Sequence, residues 1–330
     1  MTKEEVLSLL LTAGEPVSGE HICRQLGVTR AAVWKAIDQL RQEGYTIEAA
    51  PRRGYTLTAR PDRLDTAQVR GYLAGHPWQP LVTAVERVDS TNNACKRLAA
   101  EGAPDGTAVL TGMQTAGRGR RGRTFVSPPG GLYFSLILRP HARPEALMHL
   151  TAMVAVAAAR AIERVSGVYP GIKWTNDLVL NGRKLCGILT ELSVEGETGA
   201  LQYVVPGIGI NVSQCEEDFD GDVAQIATSI LRETGRRISR AELAAAMIEE
   251  LDALYAALKS GDTSAYLEEY RRRCVTIGRE VQLLWQDTKE KVTALDVDEE
   301  FGLIVRRENG TVETVRTGEV SVRGLYGYVE

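Results

Sequence analysis

The stretch KWTNDLVLNGRKLCGILTEL (Lys173–Leu192) holds two apolar runs that are separated by the dipeptide Asn181-Gly182. This dipeptide between apolar runs indicates a two-residue β-hairpin, because both residues tolerate the positive φ angles of such a turn. The strands predicted on either side are Leu178–Leu180 and Lys184–Leu192. Consecutive strands that fold back on one another form an antiparallel sheet, so the stretch favours an α+β fold over a doubly wound α/β fold.

The region around this hairpin, residues 65–273, alternates predicted helices with predicted strands. Helical spacing of apolar residues appears at Thr66–Ala74, Thr91–Glu101, Pro144–Ser166, Ser239–Lys259 and Asp262–Arg273. Apolar runs of strand length lie at Val82–Val88, Ala108–Gln114, Gly131–Leu138, Gly171–Trp174 and Gln202–Val212. Helices that are segregated from consecutive hairpins are typical of an α+β domain.

The N-terminal region, residues 1–60, has the pattern of a winged helix-turn-helix. A first helix is predicted at Glu4–Ala13. In the segment GEHICRQLGVTRAAVWKAID (Gly19–Asp38), Gly27 separates two further helices, and Thr29 can cap the second of them. Two short β-prone runs within residues 45–58 then form the wing.

The second helix of this motif is the element that enters the DNA major groove in helix-turn-helix proteins, and basic residues at a wing can meet phosphates. We therefore predict a DNA-binding surface. The alternative is a domain that serves protein contacts, whose basic residues form only a solvated face. The predicted DNA contacts are Thr29, Arg30, Trp34, Lys35, Arg52 and Arg53.

The last region, residues 274–330, contains only short β-prone runs that are separated by turns. These runs are Glu280–Trp285, Lys291–Asp298, Leu303–Arg306, Val312–Thr314 and Ser321–Arg323. So many short strands in so few residues predict a small barrel.

The composition of the 330 residues is that of an ordinary globular protein, with 44% hydrophobic and 25% charged residues. The formal net charge of −4 means that a DNA or phosphate site must be a local basic patch. Five widely spaced cysteines without a CxxC pattern indicate reduced thiols, as in the cytoplasm. The most apolar stretch, Leu147–Ile162, is too short and too polar to span a membrane.

A segment rich in glycine and arginine, GRGRRGR (Gly117–Arg123), occurs in this net acidic protein. Glycine allows the backbone to approach a ligand closely, and guanidinium groups pair with phosphate or carboxylate oxygens. The segment also satisfies the GxGxxG pattern, but a dinucleotide site requires a helix directly after it, and here the helix-breaking sequence Ser127-Pro128-Pro129 follows. We predict a phosphate-binding loop of another kind; the alternative is a disordered or RNA-binding basic loop.

Three further clusters place polar side chains or glycines near strand ends. Asp89–Asn93 precedes a helix, whose N-terminus binds polar groups well, although a plain helix cap is the alternative. Asn176 and Asp177 offer oxygen ligands for hydrated Mg²⁺, and Lys184 offers an ammonium for an acidic ligand, with a surface salt bridge as the alternative. The glycines of GIGIN (Gly207–Asn211) fit either a close ligand or tight backbone packing.

The order of these motifs resembles bacterial biotin protein ligases of the bifunctional ligase/repressor type. The matching motifs are Ser90-Thr91-Asn92, GRGRRGR (Gly117–Arg123), KWTND (Lys173–Asp177), GRKLCGILTE (Gly182–Glu191) and GIGINV (Gly207–Val212). The resemblance covers essentially the whole chain. It implies a winged helix-turn-helix domain at residues 1–60, a central domain similar to class II aminoacyl-tRNA synthetases at residues 65–273, and an SH3-like barrel at residues 274–330.

The resemblance also implies a reaction in two steps. The carboxylate of biotin attacks the α-phosphate of Mg-ATP to give biotinyl-5′-AMP and pyrophosphate, and a lysine of biotin carboxyl carrier protein then attacks the mixed anhydride. Positioning and charge neutralisation supply most of the catalysis in such an attack. In addition, the family implies a ligand-promoted homodimer that binds biotin operator DNA and represses biotin genes.

Roles for individual residues follow from the same resemblance, with Lys184, Arg118 and Arg120 as the catalytic cations. Asp177 is implied to contact Mg²⁺ through water. The implied biotin-binding residues are Ser90, Thr91, Asn92, Gln114, Gly117, Arg118, Gly119, Arg120, Lys184, Gly187, Leu189 and Gly207. The implied ATP-binding residues are Arg120, Arg121, Arg123, Phe125, Asn176, Lys184, Asn211 and Arg323.

Two positions depart from the family pattern. Thr175 replaces the usual proline of KWTND, which should loosen that turn slightly. Phe125 replaces a tryptophan after the arginine loop, and it can still stack on adenine with a smaller area. Neither change removes a charged group from the predicted site.

Three other functions remain compatible with parts of the sequence. A lipoate ligase shares the synthetase-like domain, although the helix-turn-helix and the arginine loop argue against it. A ligand-sensing transcription factor with a dead ligase site is disfavoured by Lys184 and the loop arginines. A ligase whose N-terminal domain no longer binds DNA is disfavoured by the basic residues of that domain.

Overall fold

A computed structural model of the chain describes residues 2–50, 53–59, 62, 64–140, 149–197, 199–219, 221–285, 288–316 and 319–322. The N-terminal part consists, in chain order, of α1 (Thr2–Thr12), α2 (Gly19–Leu26), α3 (Arg30–Gln42), β1 (Thr46–Ala50) and β2 (Gly54–Ala59). Strands β1 and β2 pair in antiparallel fashion. Three helices followed by this hairpin confirm the predicted winged helix-turn-helix.

Local signals fix the ends of the helices in this unit. The side chain of Ser18 accepts a hydrogen bond from the backbone of His21 at the start of α2, and Gly27 ends that helix with φ at 65°. Thr29 caps α3 by accepting from the backbone N–H of Ala32 at 3.2 Å. The unit has its own hydrophobic core, formed mainly by Val6, Leu7, Leu10, Ile22, Val33, Ile37, Leu40, Tyr45 and Ile47.

The central part is built on one mixed sheet of seven strands. Its first half contains α4 (Thr66–Tyr72), β3 (Val82–Val85), α5 (Thr91–Ala100), β4 (Ala108–Thr111), β5 (Leu132–Leu136), α6 (Leu150–Ser166) and β6 (Gly171–Lys173). Its second half contains β7 (Asp177–Leu180), β8 (Arg183–Val194), β9 (Leu201–Ile210), α7 (Asp222–Ile226), α8 (Ile230–Thr234), α9 (Arg240–Ser260) and α10 (Ser264–Arg273). The strand order is β3-β4-β5-β9-β8-β7-β6, with only the β3–β4 pair parallel among these described strands. This mixed topology confirms the predicted α+β class.

The predicted hairpin forms as its dipeptide indicates. Strands β7 and β8 pair in antiparallel fashion around Asn181 and Gly182, whose φ angles are 49° and 79°. The register places Asp177 opposite Gly187. Since these two residues belong to separate predicted motifs, the hairpin is what brings the motifs together.

Three helices differ from the prediction. The short helices α7 and α8 were not predicted, because five residues are too few to show helical periodicity; α8 is instead defined by its caps, Ser229 and Gly235. The helix predicted at Pro144–Ser166 begins at Leu150 in the structure, and residues 144–148 of that prediction lie outside the described residues.

The two faces of the central sheet carry different helices. Leu110, Phe134 and Ile208 point into the large core that includes α6 and α9. Val109 and Val205, on the opposite face, pack with Cys95 of α5. Because side chains alternate along a strand, the odd-numbered residues of β9 share the face covered by α5. Among the described residues, no helix is both long and apolar enough to cross a bilayer.

The C-terminal part is a five-stranded antiparallel sheet. Its strands are β10 (Glu280–Trp285), β11 (Thr288–Val297), β12 (Leu303–Arg307), β13 (Val312–Val315) and β14 (Glu319–Val322), in the order β13-β12-β11-β10-β14. The indole N–H of Trp174 donates to the carbonyl of Phe301 at 2.9 Å. The apolar residues of this sheet also continue the large core of the central part, so the two parts pack directly against each other.

A buried ion-pair network joins α6 to α10. Arg273, whose side chain is 3% exposed, donates to Glu269 Oε1 at 2.8 Å. Arg160 donates to the other oxygen of Glu269 at 2.7 Å, and Glu163 also contacts Arg273. Burial raises the pKa of Glu269, but the bonds from Arg160 and Arg273 outweigh burial and lower that pKa below its ordinary value of 4.5.

Replacing Glu269 with glutamine is expected to lower the free energy of unfolding by about 3 kcal/mol, because the buried charge of Arg273 loses a partner. A carboxyl with a lowered folded-state pKa stabilises the protein above its unfolded-state pKa, and this stabilisation is lost as the pH falls through the folded-state value. Urea unfolding at neutral and acidic pH should show the deficit at neutral pH and a smaller one in acid. The exposed neighbour Glu268 provides the control, and an equal loss in Glu268→Gln would contradict the interpretation.

Candidate functional site

A cavity of about 360 Å³ opens on the face of the central sheet that α5 covers. Strands β8 and β9 form its floor, and the N-terminus of α5, the arginine loop (Gly117–Arg123) and the turn between β6 and β7 form its walls. The predicted site residues that line it are Ser90, Thr91, Asn92, Gln114, Arg118, Gly119, Arg120, Arg123, Phe125, Asn176, Asp177, Lys184, Gly187, Leu189 and Gly207. Residues from all five sequence motifs therefore meet at one place.

Glycines make the floor of the cavity flat. Gly187 and Gly209 are paired across β8 and β9, and the ring of Phe125 lies over both of them. A Cβ atom on Gly187 would lie 2.8 Å from this ring, and one on Gly209 would overlap it. A Cβ atom on Gly207 would overlap the side-chain oxygen of Asn92. The glycines thus permit close approach of other groups, rather than packing of backbone on backbone.

The wall formed by α5 is a hydrogen-bonded polar network. Asn92 Nδ2 donates to Leu189 O at 3.3 Å and to Glu191 Oε2 at 2.9 Å, while Ser135 Oγ donates to Asn92 Oδ1 at 2.6 Å. The backbone N–H of Thr91 donates to Gln114 Oε1 at 2.8 Å. These bonds fix the orientation of neutral amide and hydroxyl groups that face the cavity.

Ser90 occupies the N-cap position of α5, but its side chain makes no capping hydrogen bond. Its residue is only 2% exposed and lines the cavity. Asp89 just before it is paired with Arg97, whose hydrogen bond lowers the pKa of Asp89 well below its ordinary value. The alternative that Ser90 serves only as a helix cap is therefore wrong, since its side chain makes no capping hydrogen bond.

A charged cluster lies at the other end of the cavity. Lys184 Nζ is 2.9 Å from Asp177 Oδ1, which also accepts from Asn176 Nδ2 at 3.2 Å. Arg120 Nη1 donates to Asn176 Oδ1 at 2.8 Å and to the hydroxyl of Thr175 at 3.3 Å. Lys184 Nζ also lies 5.8 Å from the centre of the Phe125 ring. The salt bridge that was the alternative for this motif is therefore present, but it faces the cavity.

The arginines of the loop point in different directions. Arg118 pairs with Glu191 at 3.1 Å and donates to Asn93 Oδ1 at 2.9 Å, so it lies beside α5 and apart from the cluster around Lys184. Arg121 is exposed, has φ at 55°, and does not line the cavity. The loop thus presents Arg118 at the amide-rich end and Arg120 at the charged end.

Among the described residues, three predicted site residues are not brought into the cavity lining. Gly117 packs within its own loop, because a Cβ atom there would overlap Phe125 O. Arg121 is directed to solvent. Asn211 follows the end of β9 and is 4% exposed, and its Oδ1 accepts no hydrogen bond among the described residues. Arg323 lies outside the described residues.

The sequence prediction missed several lining residues. These are Thr124, Lys173, Trp174, Ile188, Ile208 and Leu284, whereas Gly209, which also lines the cavity, belongs to the predicted GIGIN motif. Lys173 begins the KWTND motif but carries no predicted role, yet it is 5% exposed in the cavity wall. Leu284 comes from β10 in the C-terminal sheet, and no local pattern marks it. Only the packing of that sheet against the central part places it here.

Among the described residues, Asp177 is the one carboxylate on the cavity lining. In the same part of the chain, no group of three or more His, Cys, Asp or Glu side chains could hold a metal ion. Mg²⁺ usually keeps several waters and uses one or two carboxylates together with substrate phosphates, so Asp177 fits a metal that arrives with a nucleotide. It does not fit a resident metal held by the protein alone.

Cysteine chemistry does not explain the site. Cys186 lies in β8 beside Gly187 but is fully buried, and burial raises the pKa of its thiol. Burial also raises the pKa of the Cys95 thiol to about 12. All five cysteines are free thiols. Buried neutral thiols such as those of Cys95 and Cys186 are poor nucleophiles.

A second surface lies on the N-terminal unit. Arg30, Trp34 and Lys35 are exposed on α3, and the indole of Trp34 is 61% exposed. Arg53 is exposed at the wing, whereas Arg52 lies outside the described residues. The hydroxyl of Thr29, a predicted DNA contact, is engaged in capping α3. The exposed cations lie on the second helix of the motif, where DNA contact requires them.

Comparison with known proteins agrees with this organisation. Residues 84–211 match the biotin/lipoate A/B protein ligase family, and residues 2–56 match an HTH domain family. The chain is 39% identical over 241 residues to the bifunctional ligase/repressor BirA of Bacillus spizizenii, covering 72% of this chain and 74% of that protein. It is 32% identical over 318 residues to the protein of that name from Escherichia coli, covering 96% of both chains.

The fold is also similar to that of a solved structure, the biotin protein ligase from Aquifex aeolicus in complex with biotin and ATP. The TM-score is 0.63 and the identity 28%, and the match covers 73% of this chain and 98% of that one. With the cavity, the arginine loop and the helix-turn-helix in place, the chain belongs to the biotin/lipoate A/B protein ligase family, and it carries an HTH domain at its N-terminus.

Proposed function

We propose that this protein is a biotin protein ligase and a biotin-responsive transcriptional repressor. It converts biotin and ATP to biotinyl-5′-AMP, and it transfers biotin to a lysine of biotin carboxyl carrier protein. One observation carries the proposal: Lys184 and the loop residues Arg118, Arg120 and Arg123 converge on one glycine-floored cavity. The domains assigned to these tasks are residues 1–60 for DNA, 65–273 for catalysis and 274–330 for the C-terminal barrel.

The two ends of the cavity suit the two ends of the adenylate. Biotin has a neutral, hydrogen-bonding head, which matches the amide and hydroxyl network around Asn92, Thr91 and Gln114. Its carboxylate matches Lys184, which lies at the opposite, charged end. The nucleotide phosphates then meet Arg120 and Arg123, and the adenine lies near Phe125. Asn211 is assigned to the nucleotide on the resemblance alone, and its buried Oδ1 accepts no hydrogen bond from the described residues.

The first step is an in-line displacement at phosphorus. A carboxylate oxygen of biotin forms a bond to the α-phosphorus, the bond from that phosphorus to the bridging oxygen breaks, and pyrophosphate leaves. Biotin and ATP are both anionic, so their approach is opposed by repulsion. Lys184 holds the carboxylate and the α-phosphate together, and Arg120 stabilises the charge on the phosphate. Asp177 keeps the Lys184 ammonium in place and would hold hydrated Mg²⁺, which helps to neutralise the phosphates of ATP.

The second step requires only an amine and an open path. The neutral lysine amine of the acceptor attacks the carbonyl carbon of the mixed anhydride, the carbon–oxygen bond to the phosphate breaks, and AMP leaves while the amine loses a proton. The same cations stabilise the departing phosphate. Water must be kept from the anhydride in the meantime, which the closed arginine loop achieves.

The direct test of the substrate uses purified protein, Mg²⁺ and ATP labelled at the α-phosphate. Parallel samples contain biotin, lipoate or no acid. A labelled adenylate that appears only with biotin is the expected result. An adenylate that forms only with lipoate would mean that lipoate, and not biotin, is the substrate. The absence of adenylate with either acid would favour a ligand sensor without ligase activity.

Repression requires that the exposed face of α3 binds DNA. Duplexes selected from a randomised library by the protein with biotin and ATP present serve as the probe. Arg30→Ala and Lys35→Ala are each expected to weaken binding about tenfold, because each removes a base or phosphate contact, and Lys35→Ala should also reduce the salt dependence. Lys289→Ala, which removes the same charge from an exposed position in β11, is the control.

The dimer enters the proposal as the link between the two activities. Adenylate that orders the loops around the cavity would favour a homodimer, and two α3 helices would then read a palindromic operator. Sedimentation and gel shifts with and without biotinyl-5′-AMP test the link. Binding of DNA that is indifferent to the adenylate would contradict regulation by biotin but leave the ligase intact.

A further inference from the structure

Glu191 joins three parts of the site without lining the cavity. It lies in β8, two residues beyond Leu189, and its side chain points to the face that α5 covers. Its Oε2 accepts from Asn92 Nδ2 at 2.9 Å. Its Oε1 lies 3.0 Å from Lys96 Nζ and 3.1 Å from Arg118 Nη2. One carboxylate thus connects the sheet, α5 and the arginine loop.

The surroundings make this an ionic contact. The Glu191 side chain is 19% exposed, and two cations share one of its oxygens. Burial raises the pKa of Glu191, but hydrogen bonds from Asn92 and Lys96 and the charges of Lys96 and Arg118 outweigh it and lower that pKa. The carboxyl is therefore ionised at neutral pH, and its bonds to cations are charge-assisted.

The residues that Glu191 holds have few other anchors. Arg118 is bonded otherwise to Asn93, which also belongs to α5. Asn92 accepts one hydrogen bond from Ser135 and donates two to β8, one to the carbonyl of Leu189 and one to the carboxylate of Glu191. Loss of the carboxylate would release Arg118 from the sheet and weaken the hold on Asn92.

We propose that Glu191 is a positioning residue that holds the arginine loop closed over the biotin end of the cavity through Arg118, and that orients Asn92 toward the ligand. The inference rests on the proposed function. Arg118 and Asn92 lie at the amide-rich end, whereas Lys184, Asp177, Asn176 and Arg120 form a separate cluster. Glu191 therefore governs the retention of biotin rather than the attack on phosphorus.

The test measures biotin dissociation and steady-state adenylate formation for Glu191→Gln. Glutamine keeps one oxygen for Asn92 but loses the negative charge. The dissociation rate of biotin and the KM for biotin are expected to rise about fivefold, the magnitude of a partly exposed charge-assisted pair, and kcat should change less than twofold. A general loss of folding would lower kcat and the melting temperature instead.

Arg118→Gln removes the same pair from its more exposed end, together with the bond to Asn93, so the dissociation rate should rise at least as much. In the double variant, Glu191→Gln should add little to the effect of Arg118→Gln, because the pair between these two side chains is already broken. Lys96→Gln is the matched control, since Lys96 pairs with the same oxygen but belongs to α5 and not to the loop. Its effect should be under twofold.

Additive losses in the double variant, or an equal effect of Lys96→Gln, would overturn the role of Glu191 in loop closure. So would an unchanged dissociation rate in Glu191→Gln while the wild-type protein binds biotin. A wild-type protein that does not bind biotin would overturn the proposed function, and the two failures are thereby distinguished.

Discussion

Replacing Lys184 with glutamine is expected to slow the formation of biotinyl-5′-AMP by about 10²–10³-fold, the cost of removing one positioned charge donor from an anionic transition state. Lys184 Nζ is held 2.9 Å from Asp177 Oδ1 at the charged end of the cavity, so its direction is fixed before substrates bind. Glutamine keeps a hydrogen-bond donor but is one atom shorter and carries no charge. Binding of biotin should weaken much less than the rate falls, because the head of biotin contacts the other end.

A pre-steady-state assay with saturating biotin and α-labelled ATP measures this rate without interference from product release. Lys289→Gln makes the same chemical change at an exposed position in β11 and should react at the wild-type rate. If Lys184→Gln forms adenylate within threefold of the wild-type rate, the assignment of Lys184 as the catalytic cation is wrong.

The second large effect is expected for Gly207→Ala, which should weaken biotin binding about 10- to 100-fold. The added Cβ atom would overlap Asn92 Oδ1, so Asn92 must turn away from Gly207. That movement breaks its bonds with Ser135 and Glu191. The free-energy cost exceeds that of one lost contact, because the groups that were bonded to Asn92 also lose a hydrogen-bond partner.

Isothermal titration with biotin measures the loss, and a thermal melt shows whether the sheet is intact. Gly196→Ala, in the turn between β8 and β9, is the control, because a Cβ atom there meets nothing within 4 Å. Biotin binding by Gly207→Ala that equals that of the control would contradict the position assigned to Asn92 in the site.

Local chemistry accounts for the parts of the fold that the sequence predicts. Asn181-Gly182 indicates a hairpin because the turn needs two positive φ angles. In the N-terminal unit, Gly27 ends α2 and Thr29 caps the start of α3. The parallel pairing of β3 with β4 has no such signal, because strands distant in sequence meet through the packing of α5. Helices α7 and α8 are not predicted either, because each is too short to show the helical spacing of apolar residues.

The site is predictable to the extent that its residues are chemically conspicuous. Charged and glycine-rich motifs identify Lys184, Arg120 and Gly187 from the amino-acid sequence. Leu284 could not be identified in this way, because its contribution depends on how the C-terminal sheet packs on the central part. Gly117 was assigned to the ligand by its motif, yet its missing side chain makes room for its own loop.

The directions of side chains explain the remaining differences. Arg118 and Arg120 lie two residues apart in the motif, and the resemblance gives both of them the same catalytic role, which stays a prediction. In the structure Arg118 is bonded to Asn93 and Glu191, whereas Arg120 is bonded to Asn176. A motif gives the spacing of residues along the chain, but it does not say which partner each side chain will meet. Glu191 is inconspicuous in sequence for the same reason.

We expect this chain to attach biotin to protein, and mass spectrometry of an acceptor measures that attachment. The full-length protein is incubated with biotin, ATP, Mg²⁺ and a purified biotin carboxyl carrier protein, and the intact mass of the carrier is followed. The carrier should gain the mass of one biotin on a single lysine, and this gain should be lost with the Lys184→Gln variant and absent with lipoate. A carrier whose mass is unchanged while the protein still binds biotin would contradict this expectation.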